Sequence, residues 1–245
     1  MADKQKIFIS GPMFSPADLW EGKEIRAALV KAGFDTYWAP ADGIEDERLI
    51  KNLQSPLMAA PYYQKVAILV QKLGWTLDIY MATFGCDGMV MDMNGRVPDG
   101  GSIVEAANAY SCGMPLVLYK ETSITMWGPF NNPMIAALTK DWEPVDAVDK
   151  IAPALTATIE AKDPAYQYVP PPAFARDLEI GKFVSEHRDE VMQILLTLSG
   201  LVDKIQLDLT DVWHWLLQQL GFDTASAPVT GIDLSVGAPE PVEPA

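Results

Sequence analysis

Four carboxylates lie within one short stretch of this 245-residue chain: Asp87, Asp92, Asp99 and Glu105, in CDGMVMDMNGRVPDGGSIVEAANAYSCGMPLVLYK. Carboxylates crowded together push one another's pKa values apart, so one can act as a base or nucleophile while a neighbour stays protonated. The residues between them form a β-α-β pattern. Gly88 to Met93 is an apolar strand bracketed by Asp87 and Asp92. A Gly-rich loop carries Asp99, a helix carries Glu105 near its start, and Pro115 to Tyr119 forms the next strand. Open α/β sheets bind ligands outside the carboxyl ends of their strands, which is where this spacing is expected to gather the group. Each acid also has a structural reading. Ser102 and Glu105 fit an S-x-x-E capping box if the helix starts near Ser102; Asp87 fits a helix end and Asp92 a turn.

The elements that must position these residues follow from local signals. Lys6 to Ser10 is a β run stopped by Gly11-Pro12. Ser15-Pro16 is an N-cap and N1 pair opening a helix that runs to Lys31-Ala32 and stops at Gly33. Phe34 to Trp38 is the next strand, ended by Pro40. Residues 41–60 are polar and irregular, and their length suits a loop over a site. Ala60 to Phe84 is helical in pattern, with Gly74 a candidate break. After a loop over Glu121 to Asn132 with Gly128-Pro129, Pro133 to Leu138 starts a helix.

Residues 1–140 therefore read as one α/β domain, and 141–173, rich in Pro, Asp and Ala, as a connection ending in Pro170-Pro171-Pro172. Residues 174–221 read as a helical appendage with stripes such as Leu195, Leu198 and Val202, then Trp213, Leu216 and Leu220. Residues 222–245 have the Pro/Ala/Gly composition of a disordered tail.

Composition excludes several functions. The formal net charge is −15, which argues against nucleic-acid polymers and anionic membranes, since binding to either relies on Lys/Arg clusters. Cys86 and Cys112 form no metal-type pair. No apolar run reaches the roughly 20 residues of a membrane span, and the polar start MADKQKIFIS is not a signal sequence. A cytoplasmic protein is expected. There is no G-x-G-x-x-G after a strand and no Walker A sequence. Both histidines, His187 and His214, fall in the helical appendage, so the α/β domain cannot build a Ser-His-Asp, Cys-His or His-ligated zinc site from its own residues. No metal and no organic cofactor is expected.

The ordered set IFISGPMFS, an aspartate opening the third strand, DGG with a helix glutamate, AYSCGMPL, and Asn132-Pro133-Met134 resembles the nucleoside 2-deoxyribosyltransferase family over roughly residues 5–140. The resemblance implies a flavodoxin-like doubly wound parallel sheet. It implies cleavage of the N-glycosidic bond of 2′-deoxynucleosides and transfer of the sugar to another free base. Glu105 matches the family nucleophile, and Asp87 and Asp99 match the carboxyls facing the base. Asn132 and Met134 match a loop that completes the neighbour's pocket in a homo-oligomer; locally, Asn132 before Pro133 is also an ordinary N-cap. Gly11, Pro12, Phe14 and Asp92 are the remaining candidates for substrate contact. Met13, Trp20 and Trp38 offer rings or side chains for stacking on a base or for core packing, and Asp78 lies on the helix before the third strand.

Three features depart from the family pattern. Phe8 stands where members often carry a tyrosine whose hydroxyl would orient the nucleophile, with Tyr119 a candidate substitute. No residue of the 41–60 loop clearly matches the family's base-reading glutamine; Gln54 is the one glutamine there and reads as a solvated loop residue. The chain continues about a hundred residues past the domain, so no C-terminal carboxylate is carried over. Two other readings stand beside transfer: an N-glycosidase of deoxynucleoside 5′-monophosphates, for which Ser10, Ser15, Lys23 and Arg26 are available, and a nucleotide-sensing module that binds without turnover.

Overall fold

A computed structural model describes residues 4–44, 49, 61–95, 98–121, 132–139, 142–198 and 216. Gln54, the Gly128-Pro129 turn, Trp213, His214 and the expected tail lie outside the described residues. Described elements run β1 (Lys6–Ser10), α1 (Pro16–Lys31), β2 (Asp35–Trp38), α2 (Ala39–Asp42) and α3 (Pro61–Tyr80), which ends in a π-helical turn at Met81–Gly85. They continue with β3 (Gly88–Asp92), α4 (Gly100–Ser111), β4 (Leu116–Tyr119), α5 (Pro133–Ala136), α6 (Val148–Glu160), α7 (Pro172–Glu186) and α8 (Arg188–Leu198). No described helix is long and apolar enough to cross a membrane. The chain divides into two compact units: residues 1–43 with 78–177, and residues 44–77 with 178–245.

The first unit is an α/β unit. Its four strands are all parallel, in the order β2-β1-β3-β4. This is the flavodoxin-like order, in which direction of winding reverses between β1 and β3. The signals at the start act as read. Ser15 caps α1 and forms a capping box with Asp18, and Gly33 takes φ +98 just past the helix, a backbone that a side chain disfavours.

Side chains alternate across a strand, and the register shows which go where. Ile7, Ile9, Val90, Val117 and Tyr119 pack on one face with Ile25 and Leu29 of α1 and Ile151 and Leu155 of α6. Phe8 and Ser10 have the opposite parity and face α4.

Two expectations are corrected here. Residues 141–173 are not merely a connection. Residues 148–160 form α6, despite Pro153 and the one helical N–H it removes, and Ile151 and Leu155 are fully buried in the first unit's core. Val145 also pairs alongside Tyr119 in parallel. The domain edge at 140 therefore cuts through a core. Second, α3 passes unbroken through Gly74.

The described residues of the second unit are mostly helical. Leu69, Leu73 and Leu77 of α3, Ile180 and Val184 of α7, and Val191 and Leu195 of α8 are buried, each set at a spacing of four. The C-terminal helices thus cluster with residues 44–77 rather than standing as an appendage by themselves.

The place of α6 in the core leads to a prediction. Leu155→Ala should cost about 2–5 kcal/mol, as burial of a leucine in a packed core implies, measured by urea unfolding of the full chain. A change below about 0.5 kcal/mol, as expected for a surface position, would return this segment to the status of a linker.

Candidate active site

A cavity of about 190 Å³ opens at the carboxyl end of β1 in the first unit. One wall is β1 and the turn after it, Phe8 to Gly11, with Met13 and Phe14 beyond. A second wall is Trp38, Ala39 and Pro40, where β2 runs into α2. Asp78, in the last turn of α3, and the start of α4, from Asp99 to Glu105, complete it. Its charged lining is therefore three carboxylates, with no lysine, arginine or histidine among the described residues.

Glu105 is the most constrained of the three. It sits in the second turn of α4 and is half-buried. Ser10 Oγ donates to its Oε2 at 2.5 Å. Burial pushes its pKa up, the Ser10 hydroxyl pulls it down, and the nearby Asp99 charge pushes it up again. Asp99 is the N-cap of α4: its Oδ2 accepts from Ser102 N at 2.8 Å and from Ser102 Oγ at 3.0 Å. The helix thus begins at Gly100 with Asp99 as its N-cap, three residues before the Ser102 N-cap that the S-x-x-E spacing implies. Ser102 donates to Asp99, so Glu105 is free of any capping duty.

Asp78 joins the site from a different part of the sequence. It accepts from the Tyr37 hydroxyl at 2.8 Å, and Tyr37 packs its ring on Phe8 with centroids 5.1 Å apart. The signal for it was only its place near the end of the helix before β3. A π-helical turn follows directly, a feature frequent at functional sites.

Asp87 and Asp92 do not join. Asp87 precedes β3, at the amino end of the sheet, where its Oδ2 accepts from Lys6 N at 2.7 Å and its own N donates to Lys6 O. The cavity is at the other end of the strand, so the assignment of Asp87 to the base-facing pair is corrected. Asp92 is at the right end but has the parity of Val90, so it points to the α1 face. It is only 3% exposed. Its Oδ1 accepts from Asn94 N at 2.8 Å, and the nearby Glu21 carboxyl raises its pKa. Asn94 ties this pair together by donating its side-chain N–H to Glu21 and accepting from Glu121 N. Gly11 separates the two regions: a Cβ there would lie 2.9 Å from Asp92 Cβ.

The other candidates divide. Gly11 and Phe14 line the cavity; Pro12 is not among its lining residues. Phe14 is 78% exposed and Trp20 65%, so neither packs in the core, whereas Trp38 is buried and lines the wall. Asn132 caps α5, with Oδ1 accepting from Met134 N at 3.0 Å. Met134 is 80% exposed, and neither residue lines this chain's cavity. The Tyr119 hydroxyl donates to Glu121 at 3.4 Å on the α1 face, so it does not replace the tyrosine missing at Phe8.

No family model matches this chain, and no curated protein is similar to it. Among solved structures it is similar to the crystal structure of a conserved protein from Enterococcus faecalis V583, at 18% identity and a TM-score of 0.41. That match covers 63% of this chain and 99% of the other. A likeness at this level carries no argument about function, and the fold assignment rests on the strand order.

The Asp92 pair gives a pH prediction. Burial chiefly, then the Glu21 and Asp18 charges against the Asn94 hydrogen bond, raise the Asp92 pKa from 3.8 to about 7. A folded pKa above the unfolded one favours the folded state at low pH, and that contribution is lost as pH rises from about 4 to about 7. Asp92→Asn removes this loss. Its stability relative to wild type should climb across that window, reaching on the order of 1–3 kcal/mol by pH 8. Urea unfolding at a series of pH values tests this, and a difference that stays constant with pH would overturn it.

Proposed function

We propose that this protein transfers a 2-deoxyribosyl group between nucleobases, with Glu105 as the covalent nucleophile. The observation that carries the reading is the Glu105 carboxyl, held by Ser10 in a cavity at the carboxyl end of β1 beside two further carboxylates, Asp99 and Asp78. In this mechanism Glu105 attacks C1′ of a bound deoxynucleoside. The C1′–N bond breaks and its electron pair leaves with the base, which takes a proton from the carboxyl of Asp78. The sugar remains as a glycosyl ester on Glu105, as in retaining glycosidases. An incoming base then attacks C1′, returns a proton to that carboxylate and releases Glu105. Phe14, exposed at the mouth, and Trp38 in the wall offer aromatic faces for the base.

Two features favour a nucleoside over a 5′-monophosphate. The N-terminus of α1, the natural anion site beside the Gly11 turn, is already filled by a carboxylate. Asp18 Oδ2 accepts from Ser15 N at 2.8 Å and from Phe14 N at 3.2 Å. The cations that a phosphate would need are also elsewhere: Arg26 is paired with Asp42 at 2.9 Å, and Lys23 is not in the cavity lining. A phosphate would meet three carboxylates with no counter-charge.

Incubation with a deoxynucleoside, with and without a second free base, followed by chromatography of the products, tests the reading. An exchanged deoxynucleoside is expected. Glu105→Gln should lower the rate by at least about a thousandfold with the fold intact. Asp78→Asn and Asp99→Asn should each cost about ten- to a hundredfold, and Asp87→Asn should stay within a few-fold of wild type. Near-normal rates in Glu105→Gln would remove it as nucleophile. Binding of deoxynucleosides with no cleavage would favour a sensing module, and preferred hydrolysis of a 5′-monophosphate would favour the N-glycosidase.

A further inference from the structure

Strand β1 presents residues 8 and 10 to the same face, toward α4. The first of these is Phe8, which has no hydroxyl and is almost wholly buried, at 1% exposure. The second is Ser10, 2% exposed, whose Oγ reaches across 95 residues of sequence to Glu105 Oε2 at 2.5 Å. Tyr37, the ring against Phe8, donates its hydroxyl to Asp78. Tyr119 has its hydroxyl on the other face of the sheet.

We infer that Ser10 is the positioning residue for Glu105, aiming its carboxylate into the cavity and holding it in the ionised form that can attack carbon. Ser10 would thereby take over, from two residues further along β1, the task that a tyrosine hydroxyl performs in the family this chain resembles. The inference rests on the glycosyl-transfer reading above. Its physical basis is geometric. β1 is paired with β2 from Lys6 to Ile9 and with β3 as far as Ser10, which lies opposite Met91, so the Ser10 backbone is held at the strand end and its hydroxyl is an anchor. A hydrogen bond donated to a carboxylate stabilises its charged form. That help is needed, because every titratable group lining the cavity with Glu105 is itself acidic: Asp99 at the start of α4, and Asp78 on α3 with Tyr37 of β2 bonded to it. Burial and the Asp99 charge both oppose ionisation of Glu105, and Ser10 acts against them.

Two measurements on the full chain test this. The first is the pH profile of kcat/KM for base exchange. Ser10→Ala should lose on the order of ten- to a hundredfold at pH 6, the worth of a hydrogen bond to a charged group, and recover to within a few-fold at pH 9. Ser10→Thr should match wild type, and Ser10→Cys, which keeps the volume with a weaker donor, should fall between. Adding Phe8→Tyr to Ser10→Ala should restore part of the loss at pH 6. The second measurement needs no turnover: the carboxyl carbon of Glu105, followed by NMR in protein labelled at glutamate and assigned with Glu105→Gln, should titrate at higher pH in Ser10→Ala than in wild type. An unshifted titration and an unchanged profile in Ser10→Ala and Ser10→Cys would overturn the inference. A shifted titration in a protein that exchanges no base would overturn the transferase reading and leave the hold of Ser10 on Glu105 standing.

Discussion

Reversal of winding direction between β1 and β3 is the constraint on which the rest of the first unit depends. In the order β2-β1-β3-β4, the connections after β1 and β3 leave toward opposite faces, so the carboxyl end of β1 is left uncovered between them. The turn after Ser10 and the start of α4 come together there. Gly11 is what lets that turn close over the end of β3, since any side chain would meet Asp92. The site owes its place to topology and to one missing Cβ.

A chain with a formal charge of −15 has to bring carboxylates into low-dielectric surroundings in two places, and it does so differently in each. On the α1 face, Asp92 and Glu21 lie close together, with Asn94 spanning the pair and Glu121. That arrangement suits a proton shared between two acids, and it knits α1 to the ends of β3 and β4. On the α4 face, Glu105 has a neutral hydroxyl donor and acidic neighbours. A donor without charge favours the ionised carboxylate, and among the described residues no lysine, arginine or histidine lines its cavity. The two arrangements lie one sheet thickness apart, separated only by the alternation of the strands.

Local signals were legible where a single residue type enforces a backbone state. Ser15-Pro16 and Gly33 bound α1 as read, because a cap and a left-handed residue act within a turn of themselves. The strands were legible from their apolar runs. Segment 141–173 was not, because its Pro and Asp content hid the buried pair Ile151 and Leu155, whose reason for being apolar lies in β1 and β3. Strand parity is written in the sequence: Asp92 shares the parity of Val90, and Ser10 that of Phe8.

The sequence by itself determined the α/β class, the carboxylate character of the site, and the positions of Glu105 and Asp99 on and before one helix, since each follows from patterns a few residues long. Tertiary structure alone decided which acids meet. Asp87 and Glu105 are near in sequence but at opposite ends of β3, because an extended strand carries its ends apart by about 3.3 Å per residue. Asp78 and Ser10 are distant in sequence, yet the sheet and the last turn of α3 bring both to the same cavity. Contacts of that range depend on the register of whole elements, and no local pattern encodes them.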